Sequence, residues 1–362
     1  MTVDAILLAS FGGPDGPDDV MPFLERATAG RGVPRQRLEE VAGHYLAMGG
    51  VSPLNAQNRR LVQAMREELD GRGLGTPVYW GSRNSRPLFA DALRALHADG
   101  HERVLAVATS AYSSYSGCRQ YREDLAGALD EAGLAGRLDI RKACPYGDRS
   151  GFSDGFARGI VTALDGLVER GIPGDQAHIV FVTHSIPDSM GLTSGPASRR
   201  AESRPGVYER QHLDVASRVV DGVASTGRSV PAWSLAFQSR SGPATVPWLG
   251  PDVNDALAEL PARGARAAIV VPIGFVSDHV EVAWDLDHEA AQTAARLGLA
   301  FVRVATPGVD PAFVSALVDL VQAAVEGRVP EPAGEWSGLC AGACCPNARA
   351  EQPVIAAWPT GV

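Results

Sequence analysis

The sequence predicts an α/β protein made of two similar lobes, and three patterns indicate this fold class. Short β-branched runs alternate along the chain with longer stretches rich in Ala, Leu and Arg that have a helical period. The strand candidates are apolar almost throughout, which is typical of a parallel sheet covered by helices on both faces. The strands also fall into two sets of four with similar flanking segments, so an internal duplication is the simplest interpretation.

Eight strand candidates and the helices between them define this pattern. Strands are predicted over 4–9, 77–81, 103–109, 138–142, 178–183, 230–236, 267–272 and 300–305, with representative helices over 88–98, 123–132, 154–169 and 252–262. The second strand is followed by GSRNSRP and the sixth by QSRSGP, which indicates the duplication. We expect lobes over 1–155 and 156–325 that face each other across a cleft. The remaining 326–362, rich in Pro, Gly and Ala, is expected to be a cysteine-containing tail.

Composition and charge exclude several classes of protein. The chain has 362 residues and a net charge of −9, which argues against binding to nucleic acid or to an anionic membrane surface. No window reaches the roughly 18 apolar residues of a membrane span, and the opening MTVDAILLASFGGP lacks the basic start of a signal peptide. We therefore expect a cytoplasmic protein whose five cysteines are thiols or metal ligands. The sequence has no heptad repeat that would pair with a partner helix, so we expect a monomer.

A histidine and a row of acids follow two strands of the second lobe. His184 ends the fifth strand in HIVFVTHSIPDSM, and PIGFVSDHVEVAWDLDHEA begins at the end of the seventh. Glu281, Asp285 and Glu289 are spaced i, i+4 and i+8, so on a helix they share one face although like charges there repel. Ligands of open parallel sheets bind beyond the carboxyl ends of the strands. A histidine with carboxylates at that place predicts binding of a divalent cation or transfer of protons.

Two loops of the first lobe are candidates for binding a flat ligand. HYLAMGGVSPLN, at 44–55, holds a Gly pair before Ser-Pro, and TSAYSSYSGCRQYRED places Tyr112, Tyr115 and Tyr121 around a glycine. Aromatic rings with polar tips suit a mostly apolar ligand with polar edges, and tyrosines packed on a sheet are the alternative. The opening FGGPDGPDD matches neither of the common glycine-rich nucleotide-binding spacings.

Three cysteines crowd together in the tail. Cys340, Cys344 and Cys345 lie within CAGACC, and three thiolates need a fourth to hold a zinc ion or a [2Fe–2S] cluster. Cys118 in YSGCRQY and Cys144 in KACPYG are the two internal candidates. Exposed reactive thiols bring no benefit to a cytosolic protein, which favours a metal or cluster site over incidental surface cysteines.

Five segments together resemble the ferrochelatases. They are LLASFGGP, HYLAMGGVSPLN, FVTHSIP, FQSRSGPATVPWLGP and PIGFVSDHVEVAWDLDHE, and they stand in the family's order between about residues 4 and 325. Within the family, the chain is most similar to the coproporphyrin III ferrochelatases of actinobacteria. The resemblance implies two Rossmann-like lobes, each a doubly wound, four-stranded parallel sheet, with a porphyrin cleft between them. It also implies insertion of Fe(II) into coproporphyrin III to form coproheme.

The resemblance implies roles for particular residues as well. His184 and Glu281 would be the catalytic pair that faces the centre of the macrocycle, and Asp285 and Glu289 would extend this metal site into a path for metal or protons. Porphyrin contacts would come from five further residues, Phe11, His44, Tyr45, Ser52 and Tyr121. A [2Fe–2S] cluster would be held by Cys118, Cys340, Cys344 and Cys345, with Cys144 as the alternative internal ligand.

Other functions stay open at this point. The chain lacks the long apolar lip of protoporphyrin-using relatives, which favours coproporphyrin III over protoporphyrin IX. A cobalt or nickel chelatase would rely on further histidines near the metal, and His184 is expected to stand alone at its strand end. A haem- or porphyrin-binding protein without turnover would use the same cleft but would not need the row of acids.

Overall fold

The computed structural model describes residues 2–30, 32–242, 245–331, 333–336, 338, 340 and 342–358, and it shows two parallel sheets. The first contains β1 (Ala5–Ser10), β2 (Val78–Ser82), β3 (Arg103–Ala108), β4 (Asp139–Ala143) and β9 (Ala356–Trp358), in the order β2-β1-β3-β4-β9. The second contains β5 (Ala177–His184), β6 (Ala232–Gln238), β7 (Ala267–Val271) and β8 (Ala300–Arg303), in the order β6-β5-β7-β8. All eight predicted strands are confirmed, and β1, β5 and β7 are buried almost throughout, as expected for sheets covered by helices on both faces.

Helices fill the connections between these strands. They are α1 (Val20–Ala27), α2 (Arg35–Ala47), α3 (Pro53–Gly71), α4 (Phe89–Ala98), α5 (Gln120–Ala132), α6 (Ser150–Glu169), α7 (Asp188–Thr193), α8 (Val207–Ala224), α9 (Val253–Ala258), α10 (Val280–Val282), α11 (Ala291–Arg296) and α12 (Pro311–Val325). Short 3-10 turns lie at Pro17–Asp19, Gly174–Gln176, Ala197–Arg199 and Pro261–Arg263, and π-helical segments at Tyr115–Arg119 and Ala283–Ala290. Within the described ranges, none of these helices combines the length and hydropathy that a membrane span requires.

One hydrophobic core joins the two lobes. Phe152 of α6 and Phe313 of α12 lie in the same buried cluster as Ile6 of β1 and Phe181 of β5. Helix α6 packs against α8 and α12, and α12 also packs against α3 of the first lobe. The lobes are therefore held together by buried apolar contacts. The predicted boundary after residue 155 falls inside α6, so the division of the chain at that point stays a prediction.

A smaller cluster joins the helices α1 and α2 of the first lobe to the second lobe. Phe23 of α1 and Tyr45 of α2 pack with Val280, the residue before Glu281. The ring centroids of Phe23 and Tyr45 are 5.7 Å apart. Helices α1 and α2 therefore cover the segment that leads from β7 to Glu281, the first acid of the row.

The tail folds back onto both lobes. β9 pairs with β4 as a fifth parallel strand, and the sequence prediction of a four-stranded sheet missed it because three residues give no readable period. Trp336 donates from Nε1 to Asp214 Oδ2 of α8 at 2.6 Å. Arg122 of α5 donates from Nε to the carbonyl oxygen of Ile355 at 2.8 Å. The described part of the tail therefore braces one lobe against the other.

Candidate active site

His184 and Glu281 meet at the carboxyl ends of the two central strands of the second sheet. The order β6-β5-β7-β8 changes direction between β5 and β7, and ligands of open α/β sheets bind at such a switch point. His184 is the last residue of β5, and the chain that leaves β7 begins a helix at Val280. His184 Nε2 lies 3.7 Å from Glu281 Oε2, and both side chains are partly exposed. The structure thus brings together the two residues that were expected to form a pair.

The ring of His184 is held in one tautomer. Its Nδ1 lies 2.5 Å from the carbonyl oxygen of Ser185. Because a carbonyl oxygen can only accept, Nδ1 carries the proton, and Nε2 of the neutral ring keeps its free lone pair on the side of Glu281. The pair can therefore take up a proton or bind a divalent cation.

Asp285 is the most firmly held member of the acid row. The Ser239 hydroxyl donates to its Oδ2, and Gln238 Nε2 donates to the same oxygen at 3.2 Å. Burial raises the pKa of Asp285 to about 7, and the charges of Glu281 and Glu289 act in the same direction. A carboxyl group that titrates near neutrality can exchange its proton for a metal ion.

The helix that carries the acids is π-helical in its middle part. Ala283–Ala290 takes π-helical turns, with i→i+5 hydrogen bonds, where the spacing predicts an α-helical face. Trp284 Nε1 therefore reaches Glu289 Oε1, five residues further on, at 2.9 Å. The Trp284 ring also stacks on His44 of α2, with centroids 4.5 Å apart and 6° between the planes. Glu289 therefore lies at the exposed end of the row, where it accepts a hydrogen bond from Trp284. The three acids do not form a regular α-helical face.

The structure adds residues to which the sequence patterns gave no role. His279 Nδ1 lies 4.0 Å from Glu281 Oε2, and burial lowers the pKa of His279 although Glu281 raises it. The expectation that His184 stands alone is therefore wrong, because the loop after β7 brings a second imidazole to the same carboxylate. Gln238 and Ser239 belong to QSRSGP, which indicated the duplication but not a contact with Asp285. Ser239 has a φ of 57°, a left-handed conformation that is uncommon for residues other than glycine. No pattern in the sequence indicates this conformation.

The five residues expected to contact a porphyrin differ in exposure. Phe11 and His44 are exposed, whereas Tyr45, Ser52 and Tyr121 are buried. Ser52 caps α3, with its hydroxyl accepting from the N–H of Leu54 at 3.4 Å. The Arg83 guanidinium lies 5.6 Å from the Phe11 ring centroid and 4.3 Å from that of Tyr121, so it connects the two rings. The contacts of all five residues with a porphyrin stay predictions.

All five cysteines meet in one buried group, called the cysteine group below. Its members are Cys118, Cys144, Cys340, Cys344 and Cys345. Cys118 lies in the π-helical segment Tyr115–Arg119 and Cys144 directly follows β4. Among the described side chains, no three His, Cys, Asp or Glu ligands converge on one metal-ion position. A [2Fe–2S] cluster spreads four thiolates over two irons, so it does not require such convergence.

A buried cation faces the cysteine group. Lys142 of β4 is almost fully buried, and its Nζ lies 3.7 Å from Cys118 Sγ and 2.9 Å from the Ala143 carbonyl oxygen. Burial lowers the pKa of Lys142, but the sulfur atoms of Cys118 and Cys340 outweigh this effect and raise it. Within the part of the chain that the structure describes, no carboxylate pairs with this ammonium group. A buried unpaired charge is costly, so an anionic sulfur in the cysteine group would balance Lys142. The pKa of Cys118 is raised, first by its hydrogen bond with Cys340, whereas the pKa of Cys340 is lowered, so Cys340 is the cysteine whose thiolate is favoured.

The fold and the site define a two-lobed parallel α/β protein with a histidine–carboxylate pair at the switch point of one sheet. The ferrochelatase family model matches residues 3–325. A coproporphyrin III ferrochelatase from Leifsonia xyli subsp. xyli is 49% identical over 359 residues, which covers 96% of this chain and 92% of the relative. One from Streptomyces griseus subsp. griseus is 49% identical over 98% of this chain and 96% of the relative. The chain belongs to the ferrochelatase family.

Among solved structures, SirB from Bacillus subtilis with Fe3+ is similar to this chain at 12% identity and a TM-score of 0.48. The match covers 90% of this chain and 98% of that one.

The raised pKa of Asp285 predicts how stability changes with pH. In the unfolded chain this carboxyl titrates near 3.8, so between pH 4 and about 7 the folded state binds more protons than the unfolded state. The free energy of unfolding should therefore fall as pH rises through this window, and Asp285→Asn should remove that part of the fall. Urea unfolding at several pH values measures it, with Asp255→Asn at an exposed site of the same lobe as control. Equal pH dependence in wild type and Asp285→Asn would contradict the prediction.

Proposed function

We propose that this enzyme inserts Fe(II) into coproporphyrin III and so forms coproheme. The observation that carries the proposal is the His184–Glu281 pair, whose Nε2 and Oε2 atoms lie 3.7 Å apart at the switch point of the second sheet. Membership of the ferrochelatase family supports it, as do relatives named coproporphyrin III ferrochelatases at 45–49% identity. Both Fe(II) and the porphyrin are substrates.

Insertion exchanges two pyrrole N–H protons of the porphyrin for one Fe2+. Nε2 of His184 can accept the first proton, because Ser185 holds the ring proton on Nδ1. The Glu281 carboxylate then stabilises the imidazolium and can accept the second proton. The two deprotonated nitrogens, together with the other two nitrogens of the macrocycle, can then bind the Fe2+, while the two protons stay on His184 and Glu281.

The remaining acids supply a path between this pair and the surface. Carboxylate oxygens suit hard divalent cations, and the pKa of Asp285 near 7 lets it trade a proton for Fe(II). Asp285 therefore serves as the relay next to Glu281, and Glu289 as the outer, exposed member of the row. Metal moves inward, or protons outward, along these side chains.

Substitutions along the row should separate catalysis from metal delivery. His184→Ala and Glu281→Gln each remove a proton acceptor, so each should lower kcat about 100-fold or more while porphyrin binding is largely kept. Asp285→Asn and Glu289→Gln should act more mildly, mainly by raising KM for Fe(II). Steady-state insertion rates and porphyrin fluorescence titrations measure both effects. The ordering is wrong if the two outer variants reduce kcat more than Glu281→Gln does.

The porphyrin substrate is tested by comparing two porphyrins with the wild-type enzyme. Coproporphyrin III carries four propionates and protoporphyrin IX two, and we expect kcat/KM for Fe(II) insertion to be at least about tenfold higher for coproporphyrin III, from one or two additional charge-assisted contacts. Preference for protoporphyrin IX would overturn this part of the proposal. Tight binding of either porphyrin with no insertion would instead indicate a carrier without turnover.

We also propose that the cysteine group holds a [2Fe–2S] cluster through Cys118, Cys340, Cys344 and Cys345. The buried ammonium of Lys142 supports it, since an anionic iron–sulfur centre would balance this charge. Hydrogen bonds from Cys118 and then Cys144 lower the pKa of Cys340, which favours its thiolate. Bound there, a cluster would add covalent ties between the tail and the first lobe.

The choice between the two internal cysteines follows from their contacts. Cys118 forms hydrogen bonds with Cys340 and Cys345, two of the three tail cysteines, which supports it as the internal ligand. Cys118→Ser should therefore lose the brown colour and the roughly two iron and two sulfide per chain of the wild type, and Cys144→Ser should keep them. Iron and sulfide analysis of anaerobically purified protein measures this. If iron, sulfide and colour are lost only in Cys144→Ser, the internal ligand is Cys144 and not Cys118. A colourless wild type without iron or sulfide would overturn the proposed cluster.

We further propose that the enzyme works in the cytoplasm as a monomer, in keeping with its net charge of −9. Light scattering should then give the mass of one chain, 38.0 kDa. Twice that mass in solution would contradict the monomer.

A further inference from the structure

A group of four buried polar side chains lies directly behind His184. These are Tyr112, Thr183, Tyr208 and His212, here called the polar node, and each is more than nine-tenths buried. Polar groups at such depth are normally hydrogen-bonded, and removing one partner leaves the other unsatisfied. Tyr112 is thus a buried residue of the interior, although the sequence pattern made it a candidate for ligand contact.

The hydrogen bonds of the polar node lead to the backbone of His184. His212 Nδ1 donates to the carbonyl oxygen of Tyr208 at 2.7 Å, and burial lowers the pKa of His212 to about 3, so the ring is neutral. Its Nε2 therefore accepts from the Thr183 hydroxyl at 2.9 Å. The single hydrogen of the Tyr208 hydroxyl goes to the carbonyl oxygen of His184, at 2.9 Å, so the 2.9 Å contact between the Tyr208 and Thr183 oxygens has no hydrogen bond of its own.

The same node holds the turn that leads from β7 towards Glu281. The Tyr112 hydroxyl donates to the carbonyl oxygen of Ile273 at 2.8 Å, and its ring stacks on His212 with centroids 3.7 Å apart. The next residue, Gly274, presses so closely on Thr183 that an added Cβ would lie 2.1 Å from Oγ1. The polar node thus contacts the chain at the ends of both strands that carry the catalytic pair.

We propose that Tyr208 is a positioning residue for insertion: its hydroxyl fixes the His184 carbonyl and thereby the placement of the imidazole opposite Glu281. This inference rests on the proposed function. The adjacent carbonyl, that of Ser185, holds the proton on His184 Nδ1, so rotation of the backbone here would also release the tautomer. Small displacements of a proton acceptor reduce kcat more than they reduce substrate binding.

Tyr208→Phe tests the proposal with Tyr146→Phe as matched control. The Tyr146 hydroxyl is also buried and donates to a backbone carbonyl, that of Ala108, at 2.7 Å, but it lies in the first lobe at the end of β3. Both variants should lose a similar amount of thermal stability. Only Tyr208→Phe should lower kcat, by roughly tenfold, with KM for porphyrin and Fe(II) unchanged. Unchanged kcat in Tyr208→Phe, or an equal loss in Tyr146→Phe, would overturn the inference.

A spectroscopic readout keeps the test independent of turnover. Imidazole ¹H–¹⁵N spectra should show His184 protonated on Nδ1 in the wild type and a mixture of tautomers in Tyr208→Phe. Absence of insertion by the wild type would overturn the proposed function, while an unaltered His184 spectrum in Tyr208→Phe would overturn the positioning role by itself.

Discussion

The carboxyl ends of β5 and β7 approach each other so closely that only glycine fits at position 274. A Cβ there would lie 2.1 Å from Oγ1 and 2.8 Å from Cα of Thr183. This contact sets His184, the last residue of β5, beside the chain that runs from β7 to Glu281. The interior is packed too densely to absorb an extra side chain without moving one of the strands. The geometry of the proposed catalytic pair therefore depends on the close packing of Gly274 against Thr183 beneath the site.

The acid row costs stability, and the packing of the two lobes offsets that cost. Carboxylates gathered behind Glu281 repel one another, and the pKa of Asp285 near 7 reflects burial first and the charges of Glu281 and Glu289 second. A site of this kind weakens the fold locally, and an extended core with a bracing tail offsets it. The proposed function gives this repulsion a use, because a divalent cation or a proton could pass between the carboxylates.

Much of the fold could be predicted from the sequence, since eight apolar runs with helices between them allow few arrangements other than two parallel sheets. His184 and Glu281 could be found because His184 ends one strand, Glu281 follows another, and the two parallel strands end at the same edge of the sheet. The strand β9, the π-helical turn near Trp284 and the contact of Ser239 with Asp285 could not be found in this way. They depend on three-dimensional packing, on backbone hydrogen bonding and on an unusual φ, none of which has a period in the sequence.

The central claim is that His184 and Glu281 act as one unit in proton removal. A double-mutant cycle in kcat with His184→Ala, Glu281→Gln and the double variant measures their coupling most directly. The claim predicts that the double variant is about as slow as the slower single variant, because removing either acceptor already disables the pair. If the losses of the two single variants multiply in the double variant, the two residues act independently and the claim is contradicted.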